Sequence, residues 1–222
     1  MSHQKQRARR TYRAPLRADG AARTRLLITR AAKESFEKQG WSGATVATIA
    51  NAAGVSQSTV EAVFRTKPDL LQAAVDYAIR GDIEPLPIRG RPITMQIEAA
   101  PDAVSMLELH AAHLRGVHGR SARLAFVVEQ AAKSDKRVAA LWRRMNRNRQ
   151  DGVEWATRTL LSKPRVTHLA AADVETTFWV ALDWGNYRLL TDYVGLSADD
   201  YQHWVLDYYL RMFQIRRPSR PR

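Results

Sequence analysis

The chain has 222 residues and no cysteine, and its 35 Lys and Arg outweigh 22 Asp and Glu to leave a net charge of +13. The lack of cysteine excludes disulfides and thiol chemistry, and no apolar run approaches the roughly 18 residues that a membrane span needs. A soluble cytoplasmic protein attracted to polyanions is the expectation, long enough to bury a second core beyond one small domain.

Most of the excess charge lies at the two ends. Residues 1–71 hold 13 basic against 5 acidic groups and residues 216–222 add four arginines, whereas residues 72–215 carry 18 against 17. Residues 1–22 form a basic arm with no apolar h-region, so it is not a secretory signal peptide. It is too polar to pack and is expected to be disordered in free solution. Such an arm either follows phosphates and enters a minor groove or is a solvated tail. Arg23 and Arg25, which adjoin the first helix, are the arginines expected to make such contacts.

A first helix is predicted over residues 25–39, with Leu27, Ala31, Ser35 and Phe36 near one face, and Gly40 and Trp41 follow it. In the next stretch, residues 45–71, Val46, Ile49, Ala50 and Ala53 fall at i, i+3, i+4 and i+7, the apolar stripe of a short helix. Gly54 then supplies the turn, because glycine alone adopts positive φ without a Cβ clash. Ser56 is placed to cap a second helix by accepting from a free backbone N–H. Val60, Val63 and Phe64 form that helix's buried side, turning Gln57, Ser58, Thr59, Glu61, Ala62 and Arg65 outward. This face is short-chained and mostly polar, which lets it approach base edges and phosphates. Thr66, with Asp69 three residues later and Pro68 in the first turn, restarts a helix.

This segment resembles the DNA-binding domain of the TetR family of transcriptional regulators. Thr45, Val46, Ile49, Ala50, Ala53, Gly54, Val55, Ser56, Thr59, Phe64, Lys67 and Leu70 match the family pattern in register, after a first helix that ends in glycine and an aromatic. The likeness covers residues 25–71 well and beyond them is one of helical layout. It implies that Arg23, Arg25, Thr45, Val46, Gln57, Ser58, Thr59, Ala62, Arg65 and Lys67 meet DNA. Three positions depart from the pattern. Ser58 stands where the family usually has glycine, and Glu61 and Val63 where it usually has tyrosines. A carboxylate facing phosphates is repelled, so Glu61 points away, accepts from a cytosine amino group, or is neutralised by Arg65 at i+4.

The rest of the chain reads as helices over residues 69–80, 102–118, 121–133, 136–161, 171–194 and 198–215, punctuated by Gly81, Gly119, Ser134–Asp135, Pro164 and Gly195. Four prolines make 82–101 a loop with one short helical turn near 94–98. With no strand-period segment, the fold class is all-α, about nine helices in total. The expected organisation is the arm (1–22), a three-helix helix-turn-helix domain (23–68), a helical ligand-binding and dimerisation domain (69–215) and a basic tail (216–222). The last long helices are rich in aromatics, and the resemblance implies homodimerisation through them, with Phe178, Leu182, Leu189, Trp204, Tyr208 and Phe213 as candidate interface residues. Leu107, His110, Leu114, Phe126, Glu129, Trp142, Met145, Trp155 and Trp179 are candidate walls of a small-molecule pocket, and their aromatics hint at a large apolar or planar effector. Each is equally suited to packed core.

Catalytic readings fare poorly. His110 and His113 sit at i and i+3, with His118 and Glu108 nearby, but without a dense carboxylate or thiolate set they do not amount to a metal site. No HExxH, phosphate-cradling glycine loop or GxSxG occurs. No enzymatic activity, catalytic residue, cofactor or metal is expected. Arg143, Arg144, Arg147 and Arg149 read as a solvated helix face. Two functions stay open. One is a homodimeric repressor released from a palindromic operator in double-stranded DNA by a small molecule. The other is a ligand-independent DNA-binding protein whose C-terminal part only dimerises or recruits a protein.

Overall fold

In the computed structural model the backbone is described for residues 2–84 and 88–216, and the side chains for residues 20–84 and 88–216. The side chains of most of the basic arm and of the tail beyond residue 216 therefore lie outside the described residues, whereas the backbone of the arm from Ser2 on, expected to be disordered, is helical and continues into the first helix. Among the described residues there are ten α-helices and no strand. The chain divides into two compact units, residues 1–77 and 78–222.

The N-terminal unit holds α1 (Ser2–Gly43), α2 (Val46–Ala53), α3 (Gln57–Val63) and most of α4 (Lys67–Arg80). Gly40 interrupts the helical backbone of α1 with φ 68° and ψ −172°, the left-handed φ at which a side chain is strained. The buried face of α1 consists of Ile28, Thr29, Ala31, Ala32, Ser35 and Phe36. Leu27, expected on that face, is 45% exposed, because the stripe is centred one residue further on. Ile49 and Ala50 of α2, Val60 of α3, Phe64, and Leu70, Leu71, Ala74 and Val75 of α4 complete the core.

The C-terminal unit continues with a 3₁₀ turn (Ile88–Gly90), α5 (Pro92–Ala99), α6 (Ala103–Ala131), α7 (Lys136–Leu161), α8 (Ala171–Ala181), α9 (Trp184–Arg188), a π-helical segment (Leu189–Tyr193) and α10 (Ala198–Met212). α6 is its axis and packs against α5, α7, α9 and α10. Gly119 does not end a helix, contrary to expectation. α6 runs through it for 29 residues, and the missing Cβ leaves room for the Tyr187 hydroxyl, 3.3 Å from where that Cβ would lie. The single helix expected over 171–194 is instead broken at Leu182–Asp183, where the Asp183 carboxylate caps α9 by accepting from the Gly185 N–H at 2.7 Å. The core beside α6 is aromatic: Phe178 stands 5.1 Å from Tyr209 and 5.5 Å from Phe213, ring centre to ring centre, and all three are buried.

Candidate nucleic-acid interface and ligand cavity

The turn between α2 and α3 is built by local hydrogen bonds that the sequence can be seen to provide. Thr45 and Thr48 cap α2 reciprocally: the Thr48 N–H donates to Thr45 Oγ1 at 3.1 Å and the Thr45 N–H to Thr48 Oγ1 at 2.9 Å. Gly54 takes φ 67° and ψ 32°, and the following Val55 N–H reaches back to the Ala50 carbonyl at 3.1 Å, the paired closure of a glycine-terminated helix. Ser56 Oγ accepts from the Thr59 N–H at 3.1 Å and shares hydrogen bonds with the hydroxyls of Ser58 and Thr59. At the far end of α3, the Arg25 guanidinium donates to the Val63 carbonyl at 3.4 Å and lies 4.4 Å over the Phe64 ring. Arg25 thus ties α1 to the end of α3.

Gln57, Ser58, Glu61 and Ala62 are exposed on α3 and Arg65 just past its end, as are Thr45 and Arg23, while Val46 and Thr59 are half-buried. Gln57 Nε2 donates to Glu61 Oε1 at 2.9 Å, so the partner the structure gives Glu61 is one turn before it rather than Arg65 one turn after. Lys67 is placed differently from its expected phosphate role. Its amine donates to the Trp41 carbonyl and sits 4.5 Å from that ring's centre, and burial lowers its pKa. Trp41 in turn stacks on Phe36 with centroids 6.0 Å apart. The exposed Ala47, Thr48 and Asn51 of α2 adjoin the same turn and were not singled out from sequence. The Thr-x-x-Thr spacing was the available signal for Thr48.

A cavity of about 660 Å³ opens in the C-terminal unit. Its inner wall is formed by the buried His110, Leu114, His118, Met145, Trp155 and Trp184, and its rim by the exposed Arg80, Ile88, Arg89, Asp151, Glu154 and Arg158. His118 Nδ1 is 2.8 Å from the Tyr201 hydroxyl and His110 Nδ1 is 3.0 Å from the Tyr209 hydroxyl. Burial pushes the pKa of both imidazoles down to about 3, and that of His113 to about 4. Arg149 is not part of a solvated face. It pairs with Asp183 at 2.7 Å, donates to the Trp179 carbonyl at 2.6 Å and stacks 4.1 Å over the Trp179 ring. Among the described residues no His, Asp and Glu are grouped as a metal ion would require.

Residues 28–74 match the sequence profile of the bacterial regulatory proteins of the tetR family. This match assigns the N-terminal domain to the TetR type. No curated protein matches the sequence. Solved structures similar to the chain include a TetR-family transcriptional regulator from Rhodococcus (16% identical, TM-score 0.58, covering 86% of this chain and 98% of that one). A transcriptional regulator from Pseudomonas aeruginosa PAO1 is similar at 14% identity and TM-score 0.57, over 86% and 90% of the two chains. A TetR-family member from Streptomyces coelicolor A3 is similar at 18% identity and TM-score 0.53, over 83% and 97%. At these identities the likeness is one of fold. It extends the TetR-type layout past the DNA-binding domain and over the all-α C-terminal unit.

Within that layout, the candidate effector residues divide. His110, Leu114, Met145 and Trp155 line the cavity. Leu107 is fully buried in the core, and Glu129 is exposed. Phe126 is 43% exposed beneath the Arg188 guanidinium, and Trp179 is 40% exposed beneath Arg149. Trp142 is half-buried against Trp184, 6.2 Å away. The candidate interface residues divide as well. Phe178 and Phe213 are spent in the chain's own core, and Leu182, Trp204 and Tyr208 are half-buried, the last two stacked 5.4 Å apart. Leu189 is 53% exposed and is joined by Tyr193 at 77% and Val194 at 62%. Among the described residues, no helix is long and apolar enough to cross a membrane.

Proposed function

We propose that this TetR-family regulator is a cytoplasmic homodimeric repressor, released from a palindromic operator when a small molecule fills the C-terminal cavity. The observation that carries the ligand-responsive part is where the cavity lies in the chain. Its lining includes Ile79 and Arg80, the last residues of α4, and α4 opens at Lys67, next to the helix-turn-helix. The carbonyls of Ala78 and Ile79 accept from the Arg120 guanidinium at 3.0 and 3.3 Å. Arg120 belongs to α6, which also supplies His110, His113 and His118, so a ligand on that wall acts on the helix that holds the end of α4. Release requires the ligand to prefer the DNA-incompetent arrangement, since equal affinity for both shifts nothing.

Two-fold pairing is supported by the exposed apolar residues Trp179 and Val180 on α8, Leu189 and Tyr193 on the π-helical segment and Val194 just past it, which have the makeup of an interface centre. A dimer presents two α3 helices to half-sites one helical turn apart, roughly 34–36 Å, or a multiple. Selection of random duplexes on the purified protein should return a palindrome, and compounds that bind the protein should lower its affinity for that palindrome. If every bound compound leaves DNA affinity unchanged, the C-terminal unit serves only dimerisation or protein recruitment.

A further inference from the structure

The cavity's inner wall specifies a ligand more narrowly than its size does. His110 is 1% exposed, and its ring is enclosed by Trp155, Phe178 and Tyr209, with centroids 6.1, 5.2 and 5.7 Å away. The Tyr209 hydroxyl is also buried. The one hydrogen-bond partner the structure gives it among the described residues is His110 Nδ1, at 3.0 Å. A phenol proton left without an acceptor in such a place is costly. The proton on this bond therefore belongs to the tyrosine: Tyr209 donates and Nδ1 accepts. An imidazole has one proton to place when neutral, so His110 carries it on Nε2. That N–H has no protein acceptor among the described residues, and His110 lines the cavity. His118 differs, because a backbone hydrogen bond to Leu182 accompanies its bond to Tyr201.

The two indoles of the inner wall are already committed, while His113 and Arg149, whose buried Nε has no partner among the described residues, also line the cavity. Trp155 Nε1 donates to Glu98 at 2.6 Å and Trp184 Nε1 to Ser121 at 3.2 Å. Leu114 and Met145 are apolar. At the rim three guanidiniums, Arg80, Arg89 and Arg158, outnumber the carboxylates of Asp151 and Glu154. An organic cation thus meets a net positive rim and an inner donor that offers it nothing.

We infer that the cavity binds a planar, uncharged body bearing a carbonyl-type acceptor, an aryl ketone, quinone or lactone, whose oxygen accepts from His110 Nε2–H. This rests on the ligand-binding reading above and gives it a chemical class. Tyr209 is a positioning residue that sets the tautomer without touching the ligand.

Three probes with one tricyclic skeleton test it on the full chain without DNA: N-methylacridone with the carbonyl, N-methylacridan without it, and N-methylacridinium as the cation. Fluorescence titration should rank the ketone about five-fold or more above the acridan, the size expected of one net buried hydrogen bond, with the cation weakest. H110F should erase the preference for the ketone, and H110Q, which keeps an N–H donor, should retain part of it. Equal affinity for ketone and acridan in the unaltered protein overturns the inference, as does preference for the cation or a ketone preference that survives in H110F. Should H110F fail to fold, imidazole ¹⁵N shifts of the unaltered protein, assigned with H110Q, decide: an Nδ1–H or charged His110 overturns it. A separate titration of the ketone against the operator complex keeps the two readings apart. Binding with the expected ranking but without DNA release refutes effector control and leaves the pocket chemistry standing.

Discussion

Mild acid should unfold the C-terminal unit while leaving the helix-turn-helix intact. His110, His113 and His118 are held neutral by burial, with pKa values pushed down to about 3, 4 and 3, whereas an imidazole in an unfolded chain titrates near about 6.5. Because the folded values are depressed, the stability tied to these groups is fully present above the unfolded value and is lost as pH falls toward the folded ones. In the interval between, unfolding takes up close to three protons. Each is worth about 1.36 kcal/mol per pH unit, or about 4 kcal/mol per unit together. At pH 5 the loss relative to neutral pH is on the order of 6 kcal/mol, comparable with the whole stability of a marginal domain. The carboxylates with displaced values act lower: the Arg91 guanidinium holds Asp82 down at about 2, and hydrogen bonds lower Asp102 and Asp200. Residues 20–77 contain no histidine, so the DNA-binding unit lacks this titration. Urea unfolding at pH 7.5, 6.5 and 5.5, followed by tryptophan fluorescence in a W41F variant, reports on the C-terminal unit alone. A pH slope below that of one proton would refute the assignment of three buried neutral histidines.

Gly54→Ala puts a Cβ at φ 67° and should lower the stability of the N-terminal unit by about 1 kcal/mol, seen as a lower thermal midpoint; an unchanged midpoint would show that the turn relaxes. Lys67→Ala should cost stability through the lost Trp41 contacts and leave the salt dependence of DNA binding nearly flat against the unaltered protein. A slope reduced by about one ion would restore Lys67 to the phosphate-contact class. Glu61→Gln removes a negative charge from the face proposed to meet DNA and should tighten binding to unrelated duplexes at low salt, an effect absent if Glu61 points away. Deleting residues 1–22 should weaken binding at low salt, and equal affinity would make the arm a passive tail.

Much of the DNA-binding domain was legible because its signals are local. Gly54, Ser56 and Thr66 act on groups two to five residues away, and the stripe over Val46, Ile49, Ala50 and Ala53 needs only helical period. The face of the first helix was misplaced by one residue because Leu27 and Ile28 are equally apolar, and only packing decides which is covered. Gly119 was read as a stop when it is a clearance for Tyr187, a residue 68 positions away that no local pattern could supply. Only four of the nine effector candidates, His110, Leu114, Met145 and Trp155, line the cavity for the same reason: helical spacing groups residues on one face without saying whether that face meets a cavity, the core or solvent.

The sequence by itself determined the class of domain, the all-α composition and the lopsided charge, since capping, periodicity and net charge are properties of neighbouring residues and of composition. Only the tertiary structure decided that Lys67 bonds to Trp41, that Phe178 and Phe213 are buried in the chain's own core, and that His110 pairs with Tyr209, 99 residues on. These are contacts between side chains far apart in the chain. Burial and proton placement depend on what surrounds a group in space, which helical period does not encode.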